Sequence, residues 1–184
     1  MAGSLSVSAI SDQLREVRSA FYTYCANLDD EQFFYQPTGK WSPAQQVKHL
    51  ITATNTSRLA FTLPKFIVRM VGGKPNRPSR TYDELVAKYK DKLEKGGRAS
   101  GRYIPKAIST SYGKERLLGN FTKAMNRFSG SINKWREPQP DNYIAPHPLL
   151  GKITLRELGY FTIYHTQHHL ESIQKMLQFQ TTVK

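Results

Sequence analysis

Apolar residues recur at steps of three and four along four long stretches, the spacing that gathers side chains on one face of a helix. In the first, Ile10, Leu14, Val17, Phe21, Tyr24 and Leu28 predict an amphipathic helix from about Ser6 to Asn27. Cys25 lies beside this stripe and reads as a small buried hydrophobe. The second stretch opens with Trp41-Ser42-Pro43-Ala44-Gln45. Ser42 is placed to cap a helix, Pro43 suits its first position, and Gln45 can bond back to the cap. Val47, Leu50, Ile51, Thr54 and Phe61 form its apolar arc. A third helix is predicted from near Lys114, with Leu117, Phe121, Ala124, Met125, Phe128, Ile132 and Trp135 inward, until Glu137-Pro138-Gln139-Pro140 stops it. Thr154-Leu155-Arg156-Glu157 is a further capping sequence. It launches the fourth helix, whose stripe runs through Leu158, Phe161, Thr162, His165, His169, Ser172, Ile173 and Met176.

The joining segments set the expected topology. After the acidic run Asp29-Asp30-Glu31, the aromatic link Phe33-Phe34-Tyr35-Gln36-Pro37 reads as packing across the end of a bundle. A connector from about Val71 to Thr110 opens with Gly72-Gly73-Lys74-Pro75. Within it Thr81-Tyr82-Asp83-Glu84 starts a short basic helix with Leu85, Tyr89 and Leu93 inward, and Gly96-Gly97 ends that helix. So long a connection can cross a bundle and leave the second and third long helices parallel. Ala145-Pro146-His147-Pro148-Leu149-Leu150-Gly151 reads as a rigid extended loop. No stretch shows strand period, so the expected fold class is all-α: a four-helix bundle with one long crossover that carries a short extra helix.

At 184 residues the chain suits a single domain spanning 1–184, because a second full core would be cramped. No apolar run approaches the roughly 20 residues of a membrane span. The start Met1-Ala2-Gly3-Ser4-Leu5-Ser6 lacks the basic and apolar regions of a signal peptide, and the one cysteine cannot form an internal disulfide, so a cytoplasmic location without a membrane partner is expected. The net charge of +13 raises nucleic acid as a partner. Much of that charge falls between Lys65 and Lys106, where no nucleic-acid-binding motif and little aromatic interleaving accompany it, and a solvated connector explains it at least as well.

The chemistry that stands out is histidine. His165 and His169 take inward positions one turn apart, where bundle helices normally carry Leu or Ile, and two imidazoles so stacked can grip one metal ion. His49 falls near the edge of the second helix's apolar arc, beside the small residues Ala53 and Ala60, and can supply a third. Three neutral imidazoles leave at least one coordination position open, the pattern of catalytic metal sites. The competing reading makes them core or partner-satisfied histidines.

A Trp-Ser-Pro helix start followed by His49, a long crossover, and His147-Pro148-Leu149-Leu150-Gly151-Lys152-Ile153-Thr154 leading into His165-x-x-x-His169 together resemble the DinB-like superfamily of metalloenzymes, over nearly the whole chain. The resemblance implies an up-down-down-up bundle, a homodimer, and a divalent metal, zinc or nickel with manganese a further choice, held by His49, His165 and His169. His168 sits where the family varies, and is expected on the outer face or behind the ligands. Many members carry Gln where this chain has Ser172. The resemblance further implies transferase chemistry with a low-molecular-weight thiol such as bacillithiol or mycothiol as cosubstrate, or hydrolase chemistry, on a small-molecule electrophile. No general base is identified; Tyr24, Tyr164 and His147 are the candidates. Two other classes stay open: a nucleic-acid-binding module, which would not need His49, and a non-catalytic binder of metal or small ligand, which would have a filled coordination shell or a closed pocket.

Overall fold

Side-chain caps fix where the helices begin. Ser6 accepts from the Ala9 N–H and opens α1 (Val7–Ala26), which ends at Asn27 as the periodicity predicts. Reciprocal capping boxes open α2 (Asp30–Phe34) through Asp29 and Gln32, and α3 (Pro43–Thr62) through Ser42 and Gln45. At Pro64 the backbone cannot continue the helix, so Leu63 turns extended and the chain restarts as α4 (Lys65–Gly72), an element the apolar pattern does not announce. Thr81 and Glu84 cap α5 (Tyr82–Glu94) inside the connector. Then come α6 (Lys114–Ile132), β1 (Ile144–His147), β2 (Gly151–Thr154) and α7 (Leu155–Thr182), with Thr154 and Glu157 closing the capping box of the last. The computed structural model describes residues 4–182; Met1-Ala2-Gly3, the start of the segment read as lacking a signal peptide, lies outside them.

The molecule is mainly helical. The long helices α1 and α3 each pack on both α6 and α7, and α5 lies against α7. Their apolar stripes meet in one core in which Phe21, Phe33, Phe121, Phe128 and Tyr160 are fully enclosed. The rings of Phe21 and Phe121 pack tilted by 43° with centroids 4.9 Å apart, joining α1 to α6. Gly159 allows α1 to approach α7, since a Cβ there would lie 2.9 Å from Ile10 Cγ2. No helix among the described residues is long and apolar enough to cross a membrane.

Two local expectations are corrected. α6 ends at Ile132, with Trp135 beyond it in a turn, yet still buried and donating its indole N–H to the Phe61 carbonyl at 3.0 Å. The segment around His147 is a β-hairpin rather than an extended loop, with Ile144 opposite Thr154 and His147 opposite Gly151. Two four-residue strands, one containing Pro146, are too short to show strand period; packing holds them. Gly72 of α4 meets β1 backbone to backbone, and a Cβ on it would sit 1.9 Å from the Ile144 carbonyl oxygen.

The connector is anchored as well as solvated. Glu157, fully buried at the start of α7, accepts from Arg77 through both carboxylate oxygens at 2.7 and 2.8 Å, and from the Arg80 side chain and backbone. Lys65 and Arg69 lie over the rings of Trp135 and Tyr143. Part of the basic charge is therefore committed to holding the fold.

Candidate metal centre

His49 from α3 meets His165 and His169 from α7. Helical spacing stacks the two α7 imidazoles one turn apart, and the α3–α7 packing sets the third beside them. The Nε2 atoms of His49 and His165 are 3.0 Å apart, and those of His165 and His169 are 3.2 Å apart. All three side chains are buried. Trp41, from the helix-start motif, packs its ring 5.0 Å from His49 and parallel to His169 at 6.4 Å.

The outer nitrogens decide where the protons are. His49 Nδ1 lies 2.7 Å from the Tyr103 backbone carbonyl, which can only accept, so Nδ1 carries the hydrogen and Nε2 is a bare lone pair. His169 Nδ1 lies 2.9 Å from Gln46 Oε1, whose amide is oriented by its own N–H donation to the Trp41 carbonyl. His169 Nε2 is therefore bare as well. Between them, neutral His165 can offer one hydrogen from Nε2 and so can satisfy one neighbour. At least one short N···N contact has no hydrogen in it. Burial, with the other histidines close by, lowers the pKa of His165 and His169 well below the ordinary value, and burial lowers that of His49 too.

This donor set fits a divalent cation. Imidazole nitrogens bind a zinc-sized ion at about 2.0–2.1 Å, so two that share an ion lie within about 4.2 Å of each other, and both measured contacts fall inside that reach. Nδ1–H bonds to a carbonyl and to an amide oxygen are the outer contacts that orient metal-binding histidines.

The histidines line a cavity of about 930 Å³, walled mainly by apolar side chains from α3, α4, α7 and the hairpin. That volume is at the upper end of the range for small-molecule sites. His168 is half-buried and lines the cavity too, its ring 5.4 Å from that of His169, rather than sitting on the outer face. Of the three candidate bases, His147 borders the cavity, while Tyr24 and Tyr164 are not among its lining residues. Ser172 is in the lining.

Gln46 and Tyr103 escaped the sequence reading. Gln46 stands one turn before His49 on the same face of α3, a polar residue at a buried position, and that was a usable signal. Tyr103 contributes a backbone carbonyl, which no residue type reveals.

A mainly helical protein with a buried three-histidine cluster compatible with a metal ion, opening on a large apolar cavity, is the class this fold and site define. The sequence model of the DinB superfamily matches residues 13–173, and the chain belongs to that superfamily. No curated protein and no solved structure matches the chain.

Proposed function

We propose that the chain is a divalent-metal-dependent enzyme, its ion held by His49, His165 and His169, which joins a low-molecular-weight thiol to a small electrophile or hydrolyses such a compound. Within this proposal the chain is one domain, its long helices run up-down-down-up, it forms a homodimer, and the ion is zinc or nickel. The observation that carries the reading is the convergence of three imidazole nitrogens, short of hydrogens, on the wall of a cavity large enough for a substrate. When bound, such an ion acts as a Lewis acid and lowers the proton affinity of a thiol or water at its open position. The chain's own residues do the rest. Tyr103 and Gln46 hold the two outer imidazoles in the tautomer that presents Nε2 inward, and Trp41 covers their rings. The apolar wall excludes water from the reacting groups and accepts the carbon body of the electrophile.

The test is to load the protein with zinc or nickel, add a low-molecular-weight thiol and 1-chloro-2,4-dinitrobenzene, and follow thioether formation. The rate should depend on the loaded ion and fall to background in His165→Ala. A rate no different from free metal with thiol, or unchanged in the variant, would overturn the proposal.

A further inference from the structure

His147 is bound differently from the other histidines of the cavity. Its Nδ1 faces the turn of its own hairpin and lies 3.2 Å from the Leu149 N–H and 3.1 Å from the Leu150 N–H. Both groups can only donate, so Nδ1 must keep its lone pair. A neutral imidazole holds one hydrogen, which is thereby forced onto Nε2. Burial drives the pKa of this side chain down to about 4, so the doubly protonated ring is not an alternative near neutral pH.

Nε2 lies on the side of the ring away from those two amides, and no acceptor among the described residues meets it. The ring borders the cavity and packs edge-on against Phe161 at 4.2 Å, while Phe161 in turn stacks on His165 at 4.7 Å. The hairpin thus delivers to the cavity a fixed N–H donor that cannot act as a base, one aromatic ring from the three-histidine cluster. Nε2 is not a buried unpaired atom but is open to solvent, so a ligand without an acceptor bears the cost of stripping water from this N–H, and one that supplies the acceptor avoids that cost.

We infer that His147 is a specificity-determining residue whose Nε2–H donates to an acceptor oxygen of the bound molecule, so that the cavity selects compounds bearing a carbonyl or comparable oxygen on an apolar body. The inference rests on the proposed use of the cavity as a substrate site and not on the metal. A carbonyl polarised by this donor is the more electrophilic for it, which agrees with the chemistry proposed above.

The experiment uses metal-free protein, so that its result is independent of metal binding. Acetophenone and α-methylstyrene, which share a shape but differ in the acceptor oxygen, are titrated and followed by long-range proton–nitrogen NMR of the histidine rings. The expected spectrum shows His147 as the Nε2–H tautomer from pH 5.5 to 8. Acetophenone should shift its Nε2 resonance and bind about tenfold more tightly than α-methylstyrene, the difference one hydrogen bond makes. His147→Phe should erase the preference, and His147→Gln, which keeps an N–H in a similar place, should retain part of it. An Nδ1–H tautomer, equal binding of the two probes, binding of neither, or a preference that survives in His147→Phe would each overturn the inference. If it fails while metal-dependent thioether formation stands, the site is an enzyme's with another basis for selectivity.

Discussion

At the start of α7, Arg156 and Glu157 are buried with every charge met; further along the same helix, His165 and His169 are buried with lone pairs turned toward one another. In the first cluster Glu157 is enclosed by Arg77, Arg80 and the Thr154 N–H, and Arg156 by Asp141, Glu137 and the Leu5 carbonyl. Burial opposes the charge on Glu157, but the Arg77 bond and two backbone N–H groups outweigh it and hold its pKa below the ordinary carboxylate value. Burial likewise opposes the charge on Arg156, and Asp141 and Glu137 overcome it, raising its pKa. Thr162 and Thr166, on the turns between, bond back to carbonyls of their own helix. Of these buried groups on α7, the paired histidines are the ones with capacity left over. A polar cluster closed on itself holds a fold together, whereas one that lacks hydrogens where its nitrogens converge has lone pairs that could hold a metal ion.

The contrast is broken most forcefully by removing Glu157. Glu157→Ala leaves Arg77 and Arg80 without their buried partner and should cost about 3–5 kcal/mol of stability in denaturant unfolding. His169→Ala in metal-free protein should cost well under half of that, because it relieves crowded lone pairs while losing one bond to Gln46. Equal losses would mean that the histidine cluster is as structural as the ion pairs.

A smaller effect is expected where α4 meets the hairpin that carries His147. Gly72→Ala should lower stability by about 1–3 kcal/mol, since its Cβ would strike the Ile144 carbonyl and push the strand away. Chemical-shift changes should concentrate around Ile144 to His147.

The clusters also respond to acid in different windows. The folded-state pKa of His147 is lowered to about 4 from an ordinary 6.5, so between those values the unfolded chain binds a proton that the native ring refuses. Its contribution is complete above pH 6.5 and falls as the pH drops toward 4, by at most about 1.4 kcal/mol per pH unit. Glu157, with its pKa depressed, keeps its contribution until the pH falls through the unfolded carboxylate value near 4.3 and then loses it. Thermal melts of metal-free protein should therefore weaken from pH 6.5 downward, and His147→Gln should lessen that early slope by one group's share, since His49, His165 and His169 with their lowered pKa contribute to it too, while leaving the loss below pH 4. The smallest effect concerns Cys25, enclosed in the core with its thiol pKa pushed up to about 12. A neutral-pH thiol reagent should leave it unmodified in native protein and label it in denaturant.

Much of this was legible in the residues. The caps at Ser42, Thr81 and Thr154, and the apolar stripe that starts near Ser6, set helix starts that hold to within a residue or so, because caps and apolar faces are local signals. The grouping of His49 with His165 and His169 followed from two inward histidines on one helix and a third near the edge of the apolar arc of another. What the sequence withheld depends on distant parts of the chain. Arg77 looked like a connector cation until Glu157 was seen beneath it, and Tyr103 acts through its backbone. His147 looked like a candidate base in a loop, and the two amides that forbid that role became visible only when the segment closed into a hairpin.

The central claim is that three nitrogens short of hydrogens hold a metal ion. Protein purified without an affinity tag, wild type beside His169→Ala, should be reconstituted with zinc or nickel, dialysed against a weak chelator and subjected to elemental analysis. Near one equivalent of metal in the wild type and far less in the variant is the predicted result. No retained metal in either, or equal amounts in both, would contradict the account and return His49, His165 and His169 to the core.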